Sequence, residues 1–273
     1  MNNTILTFGT ILLYLTCSIL LFIYLNQSSR ADANNKARLS KRIIVLVGFG
    51  GLLLHTLVLY SSMFSDAGIN FGFYNAMSLV SVFLVLFTLT ATWRHPVEIL
   101  TIILLPITIV TIALEYFGTS SHLLPAGSST ALIFHVSTSI IAYSLLALAA
   151  LQAILLSIQN KFLHAHQPGG LIKRLPPLKN METLLFEVIL AGFIMLTISL
   201  GSGLLFLENM FAQQLAHKTV LSILAWLVFL ALLVGHWQMG WRGRTAIRWT
   251  LSGFISLMLA YFGSKFVLEI LLT

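Results

Sequence analysis

Five histidines lie within or beside long apolar runs of this chain, and imidazole is the side chain here with the widest chemistry. They are His55, His122, His135, His217 and His236. A neutral imidazole nitrogen is a good ligand for iron and other transition metals. An ionisable side chain inside a membrane-type segment is costly and points to a function. Such a histidine can also simply hydrogen-bond a neighbouring helix, so both interpretations stay open for each of the five.

Motifs for other chemistry are missing from the sequence. It contains no GxSxG, no HExxH and no GxxxxGK[ST] pattern. Its single cysteine, Cys17, allows neither an internal disulfide nor a CxxC site. We therefore expect a protein that is not an enzyme.

The composition is that of an integral membrane protein. Hydrophobic residues make up 58% of the chain and charged residues only 8%, and the mean hydropathy is +0.95. Soluble domains carry about 25% charged residues. The net charge of +7 comes from short loops beside apolar runs, so it does not indicate nucleic-acid binding.

Eight apolar runs are long enough to cross a bilayer, which takes about 20 helical residues. They cover about residues 4–25, 42–61, 72–92, 97–117, 131–159, 183–207, 218–238 and 248–271. The sequence therefore predicts an all-α fold, a polytopic bundle of eight transmembrane helices. We expect these to form a single integral membrane domain over residues 1–273.

The cations predict the orientation of this bundle. Thirteen of the 15 lysines and arginines fall in alternate loops, those after the first, third, fifth and seventh runs. Lys218 and Lys265 are the exceptions. Loops rich in lysine and arginine stay in the cytoplasm, so both termini are expected on the outer, periplasmic side.

This orientation sorts the histidines by depth. His55 and His135 are expected in the outer third of the membrane, with His122 in the outer loop and His217 at the outer start of the seventh helix. His236 closes that helix at the inner face. A distance of about 30 Å, one helix length, would then separate His236 from the outer group, so it could not share one iron with His135.

Two segments resemble a known family. Phe134-His135-Val136-Ser137 followed by Ala142-Tyr143 is similar to a helix of the CcsA-type cytochrome c assembly proteins. Gly235-His236, Gly240-Trp241-Arg242-Gly243 and Gly253-Phe254 resemble a second part of it. The resemblance covers about residues 70–273 and is nearest to the YpjD-like branch of eight-helix inner-membrane proteins.

The resemblance implies a haem-binding membrane protein that handles haem, or acts in cytochrome c maturation, at the outer face of the membrane. His135 matches the family's outer axial histidine, and His236 matches the histidine at the inner end of the following helix. The second ligand of the iron held by His135 is expected to be His55, or His217 in its place. Lys218 or Lys265 could neutralise a haem propionate.

The same resemblance implies the partners and the location. We expect a multi-pass protein of the bacterial inner (plasma) membrane. Its partners would be the lipid bilayer, haem or a related porphyrin, and other cytochrome assembly or envelope membrane proteins.

Two alternatives remain. The family's WxxWxWD motif and its second outer histidine are missing here, and the segment from Leu207 to Lys218 stands in place of the motif. This favours a membrane scaffold or assembly factor that kept the fold but lost haem delivery. A small-solute transporter is the other alternative, for which internal repeats would be the sign, and the sequence shows no clear repeat.

Overall fold

A computed structural model describes residues 2–29, 40–65, 68–118, 123–125, 129–164, 175–206 and 216–263. Within these residues the chain forms eight α-helices, one π-helical turn and three short strands. The helices are α1 (Asn2–Ser29), α2 (Lys41–Met63), α3 (Phe73–Arg94), α4 (Glu98–Phe117), α5 (Thr130–His164), α6 (Leu178–Phe206), α7 (Ala216–Met239) and α8 (Gly243–Met258). The π-helical turn is Leu259–Gly263, and the strands are β1 (Phe64–Ser65), β2 (Gly68–Asn70) and β3 (Leu123–Pro125).

The described residues form helices apart from these short strands and the connecting loops, and seven of the described helices are long and apolar enough to cross a membrane. The described part of the eighth, α8, has 16 residues and continues into the π-helical turn. The remainder of the predicted eighth span, after Gly263, lies outside the described residues. A count of eight crossings and the outward placement of both termini therefore stay predictions.

The start of α8 differs from the prediction. The helix begins at Gly243 rather than near residue 248, so Arg244 and Arg248 lie in its first two turns and not in a loop. Ala246 and Ile247 are buried and give this additional turn a packed face. The two arginines interrupt the apolar run, so the run alone did not reveal that face.

The chain divides into two compact units. Unit 1 consists of Met1–Leu123 with Gly169–Pro176, and unit 2 of Leu124–Pro168 with Pro177–Thr273. The expectation that the whole chain is one membrane domain stays a prediction.

Unit 1 is a four-helix bundle in which each helix contacts the next and α1 also contacts α4. Two glycines of α2 allow close packing. A Cβ atom at Gly48 would lie 2.8 Å from Cδ2 of Leu89, and one at Gly51 would lie 2.8 Å from the ring of Tyr14. Small residues at such positions let membrane helices approach each other closely.

A small hairpin joins α2 to α3 in unit 1. Phe64 pairs with Ile69 and Ser65 with Gly68 in antiparallel register. The Asn75 side chain of α3 donates to the carbonyl oxygens of Ser62, at 3.3 Å, and Asn70, at 3.2 Å. These hydrogen bonds fix the hairpin over one end of the bundle, which we call the hairpin end. It comprises the end of α2, the hairpin, the start of α3 and the end of α4.

Unit 2 repeats this order of neighbours. Helix α5 contacts α6 and α8, and α7 contacts the same two helices. Gly192 of α6 leaves room for Leu146, whose Cδ2 would lie 2.8 Å from an added Cβ atom. Gly253 of α8 similarly accommodates the ring of Phe229. The two contacts bring α6 against α5 and α8 against α7, which positions the histidines on α5 and α7.

Candidate functional site

The His135 imidazole, on the second turn of α5, is held by the facing end of α6. Its Nδ1 atom lies 2.9 Å from the carbonyl oxygen of Ser199 and 3.2 Å from Oγ of Ser202. A carbonyl oxygen can only accept, so Nδ1 carries the proton and donates it. In the neutral ring the lone pair is then on Nε2, which has no hydrogen-bond partner among the described residues. A carbonyl that fixes the tautomer in this way is typical of metal-ligating histidines.

Serine hydroxyls tie this end of α5 to α6. Ser139 Oγ lies 2.5 Å from Ser199 Oγ and also donates to the His135 carbonyl oxygen at 2.7 Å. Ser202 donates to the Ser199 carbonyl oxygen at 2.8 Å. The acceptor of the His135 proton is therefore itself held in place by two side chains. We expect the ring orientation of His135 to be well defined, which ligand binding requires.

The His236 imidazole is fixed by the same kind of contact at the end of α7. Its Nδ1 atom lies 2.9 Å from the carbonyl oxygen of Trp241, so Nδ1 again donates and the lone pair is again on Nε2. The ring stacks on Phe186 of α6, with centroids 3.5 Å apart and planes inclined by 14°. The loop that supplies the acceptor is anchored to α6, because the Gly243 N–H donates to Glu182 Oε1 at 2.9 Å.

The His135 and His236 side chains lie far apart within unit 2. Their contacts on α6, Ser199 and Phe186, are 13 residues apart, which corresponds to about 20 Å along the helix axis. This is shorter than the one helix length expected from the sequence. It still excludes a single iron bound by both rings.

His55 lies in unit 1 and is fully buried. Its Nδ1 atom lies 3.3 Å from the Tyr14 hydroxyl, and its Nε2 atom lies 2.9 Å from Ser78 Oγ. Both ring nitrogens are thus engaged with neighbouring helices. His55 could act as a ligand only after giving up one of these partners, so its pairing with His135 stays a prediction.

The structure describes few side-chain contacts for the other candidate residues. His217 is the second residue of α7, and its side chain lies outside the described residues, as does His122. His95 is an exposed residue directly after the end of α3. Lys218 is half-buried at the start of α7, while Lys265 lies outside the described residues.

In the part of the chain that the structure describes, no three histidine, cysteine, aspartate or glutamate side chains come together as a metal site. A bare transition metal usually takes three or four protein ligands. Haem iron already has four porphyrin nitrogens and needs only one or two axial ligands from the protein. Single oriented imidazoles such as those of His135 and His236 therefore suit haem better than a free metal ion.

The sequence did not reveal the groups that orient these imidazoles. The acceptors are main-chain carbonyl oxygens of Ser199 and Trp241, which every residue possesses and which carry no sequence signal. Phe186 is one of 19 phenylalanines, and only the fold singles it out. Trp241, which the sequence singled out only as part of the family resemblance, also provides the carbonyl that holds His236.

Comparison with known proteins relates most of this chain to one family. The model for the family described as "Cytochrome C assembly protein" matches residues 43–272. The inner membrane protein YpjD of Escherichia coli K12 is 29% identical over 238 residues, which are 85% of this chain and 88% of that protein. The cytochrome c biogenesis protein CcsA of Prochlorococcus marinus MIT 9515 is 28% identical over 201 residues, 64% of each chain. An uncharacterized 28.8 kDa protein of Azospirillum brasilense is 34% identical over 140 residues, 50% of this chain and 52% of that protein.

Proposed function

Because the chain belongs to the cytochrome C assembly protein family, we propose that it is a multi-pass inner-membrane protein that handles haem in cytochrome c biogenesis. Membership of this family supports a general role in haem handling. The name of the relative YpjD supports the inner membrane as the location. The choice of ligands rests on the geometry of this chain.

The observation that carries the proposal is the hydrogen bond from His135 Nδ1 to the Ser199 carbonyl oxygen at 2.9 Å. It leaves the Nε2 lone pair of a half-buried imidazole available for iron. Haem, when bound, supplies the iron centre, and His135 would hold it through Nε2. The carbonyl acceptor fixes the ring orientation and raises the basicity of Nε2, because it holds and polarises the N–H bond at Nδ1.

His236 is the second haem contact that we propose, with its proton held by the Trp241 carbonyl oxygen. We propose His55 or His217 as the second residue that would hold the haem bound by His135. His55 would have to exchange its bond to Tyr14 or to Ser78 for the iron. Following the predicted orientation, the His135 site would face the periplasm and the His236 site the cytoplasm.

The test is an absorption spectrum of the detergent-purified protein, with and without added haemin. We expect a Soret band that is strongly reduced in His135→Ala. The loss of affinity should exceed the roughly 10- to 100-fold effect of removing only an outer hydrogen-bond partner. His95→Ala, which changes an exposed histidine at the end of α3, is the matched control and should retain the wild-type band. A protein that takes up no haem, or a His135→Ala variant with an unchanged spectrum, would contradict the proposal.

One sequence feature favours a second candidate, an assembly factor that no longer delivers haem. The WxxWxWD motif is missing, and the residues that replace it begin at Leu207. A deletion strain with normal c-type cytochromes, together with a partner that co-purifies with the protein, would support this alternative. Solute flux in proteoliposomes that does not depend on haem would instead support a transporter.

A further inference from the structure

Unit 1 contains a buried carboxyl group that the proposed haem chemistry does not use. Glu115 lies in the last turn of α4, at the hairpin end, and is only 9% exposed. Ser62 Oγ donates to its Oε1 atom at 2.6 Å. Its Oε2 atom is buried and has no hydrogen-bond partner among the described residues. This oxygen is an unsatisfied polar atom within a membrane-spanning helix.

No cation of the described part of unit 1 is in reach of Glu115. Lys41, Arg42 and Arg94 all lie at the opposite end of the bundle, at the start of α2 and the end of α3. There Lys41 pairs with Glu98 at 2.6 Å. Glu98 and Glu115 are 17 residues apart on α4, or about 25 Å along its axis. The two glutamates of this helix are therefore in opposite situations, one ion-paired and one not.

The other titratable side chains at the hairpin half of the helices in unit 1 are four tyrosines and one histidine. They are Tyr14 on α1, His55 and Tyr60 on α2, Tyr74 on α3 and Tyr116 on α4. His55 is separated from Glu115 by Ser78, whose hydroxyl bonds the imidazole and also faces the carboxyl group. Asp66, which falls between β1 and β2 in the sequence, lies outside the described residues. An ionised Glu115 thus has no lysine or arginine as a counter-charge among the described residues of unit 1.

An unpaired carboxylate in a low-dielectric interior is strongly disfavoured. One bound positive charge removes this cost, and either a proton or a metal ion could supply it. Hard metal cations take six or more oxygen ligands. The side-chain oxygens grouped here are those of the carboxyl group and of the Ser62 and Ser78 hydroxyls, which are too few. A proton needs only Oε2.

We propose that Glu115 is a proton-binding site at the hairpin end of unit 1, where its carboxyl group exchanges one proton with the adjacent aqueous phase. The carboxylate takes a proton from water at Oε2 and becomes a neutral carboxylic acid, while Oε1 continues to accept from Ser62. Release returns the proton to water. Asn75 donates to the main-chain oxygens of Ser62 and Asn70 at this end of the bundle, so further polar groups lie beside Ser62. The site uses none of the proposed iron ligands, although Ser78 links its carboxyl group to His55.

The experiment is infrared spectroscopy of the full-length protein in lipid, with the carboxylic-acid C=O band followed during a pH titration and after transfer to D2O. We expect wild-type protein to show this band, to shift it in D2O, and to lose it reversibly at alkaline pH. Glu115→Gln should abolish it. Glu98→Gln is the matched control on the same helix, and it should leave the band unchanged because the Glu98 carboxylate is paired with Lys41.

A second variant keeps the test decisive if Glu115→Gln does not fold. Ser62→Ala removes the hydrogen bond to Oε1, so it should move the C=O band to higher frequency without abolishing it. The proposal is overturned if wild-type protein lacks the band, if Glu115→Gln retains it, or if the band neither shifts in D2O nor titrates. A carboxylate band that changes when sodium is replaced by choline at constant pH would overturn it in favour of a metal-ion site.

Discussion

A single methyl group at Gly235 should disrupt the loop that holds His236. A Cβ atom at this position would overlap Cδ2 and Cε3 of the Trp241 indole. The Trp241 main chain also donates to the Gly235 carbonyl oxygen at 3.1 Å and accepts from His236 Nδ1 at 2.9 Å. Gly235→Ala must therefore displace Trp241 and with it the acceptor that orients His236.

The size of the effect follows from these contacts. Overpacking at a well-filled site costs about 1–3 kcal/mol. The two hydrogen bonds that involve Trp241 contribute about 0.5–1.5 kcal/mol each. If both are lost, the free energy of unfolding should fall by about 2–6 kcal/mol. A haem bound through His236 should in addition be weakened by about 10- to 100-fold, because the imidazole loses its fixed acceptor.

The assay is denaturant unfolding in detergent micelles followed by circular dichroism, with a haem titration of the same preparations. Gly201→Ala is the matched control, since a Cβ atom at Gly201 of α6 would meet nothing within 4 Å. There the substitution should be neutral or stabilise the helix by about 0.5–1 kcal/mol, because alanine loses less backbone entropy than glycine. If Gly235→Ala proved as stable as Gly201→Ala, the packing argument for the Trp241 loop would be wrong.

Two further substitutions test unit 1 with the same unfolding assay. Ser78→Ala removes the hydroxyl that lies 2.9 Å from Nε2 of the fully buried His55, and we expect a loss of about 1–3 kcal/mol from the unpaired nitrogen. A loss below the error of the assay would show that water satisfies His55. Lys41→Met leaves the buried Glu98 carboxylate without its partner and should cost about 3 kcal/mol, whereas Lys41→Met with Glu98→Leu should recover most of it. A double variant as unstable as the single one would refute the pairing argument.

The helices themselves could be read from the sequence, because a membrane helix needs a run of apolar residues of nearly fixed length. Helices α2, α3 and α4 begin and end within about two residues of the predicted spans. The hairpin β1–β2 could not be read from the sequence, since strands of two and three residues have no detectable periodicity. The early start of α8 was missed for a related reason, because Arg244 and Arg248 interrupt the apolar pattern while Ala246 and Ile247 pack inward.

The candidate site was predictable only as residue types. Histidine stands out in an apolar helix, so His55, His135 and His236 could be selected from the sequence alone. Whether each ring nitrogen is hydrogen-bonded could not be predicted from the sequence, because the partners come from other helices or loops. His55 is engaged at both nitrogens by residues 41 and 23 positions away, whereas the partners of His135 lie 64 and 67 positions away. Only the fold distinguishes His55, whose two ring nitrogens are both hydrogen-bonded, from His135 and His236, in which the Nε2 lone pair is available.

The contacts of His135 and His236 on helix α6 bear on the number of proposed haem positions in unit 2. Ser199 and Phe186, which hold His135 and His236, are 13 residues apart on this helix, so they differ by about 20 Å in height and by more than a third of a turn in direction. The two imidazoles therefore contact different sides of α6, and they do so at different heights along its axis. Haem bound by both would require two porphyrins or two successive positions of one. The haem content of the purified protein separates these cases: with two porphyrins the wild-type protein binds two haems per chain and His135→Ala and His236→Ala bind one each, whereas with one porphyrin the wild-type protein binds one haem per chain.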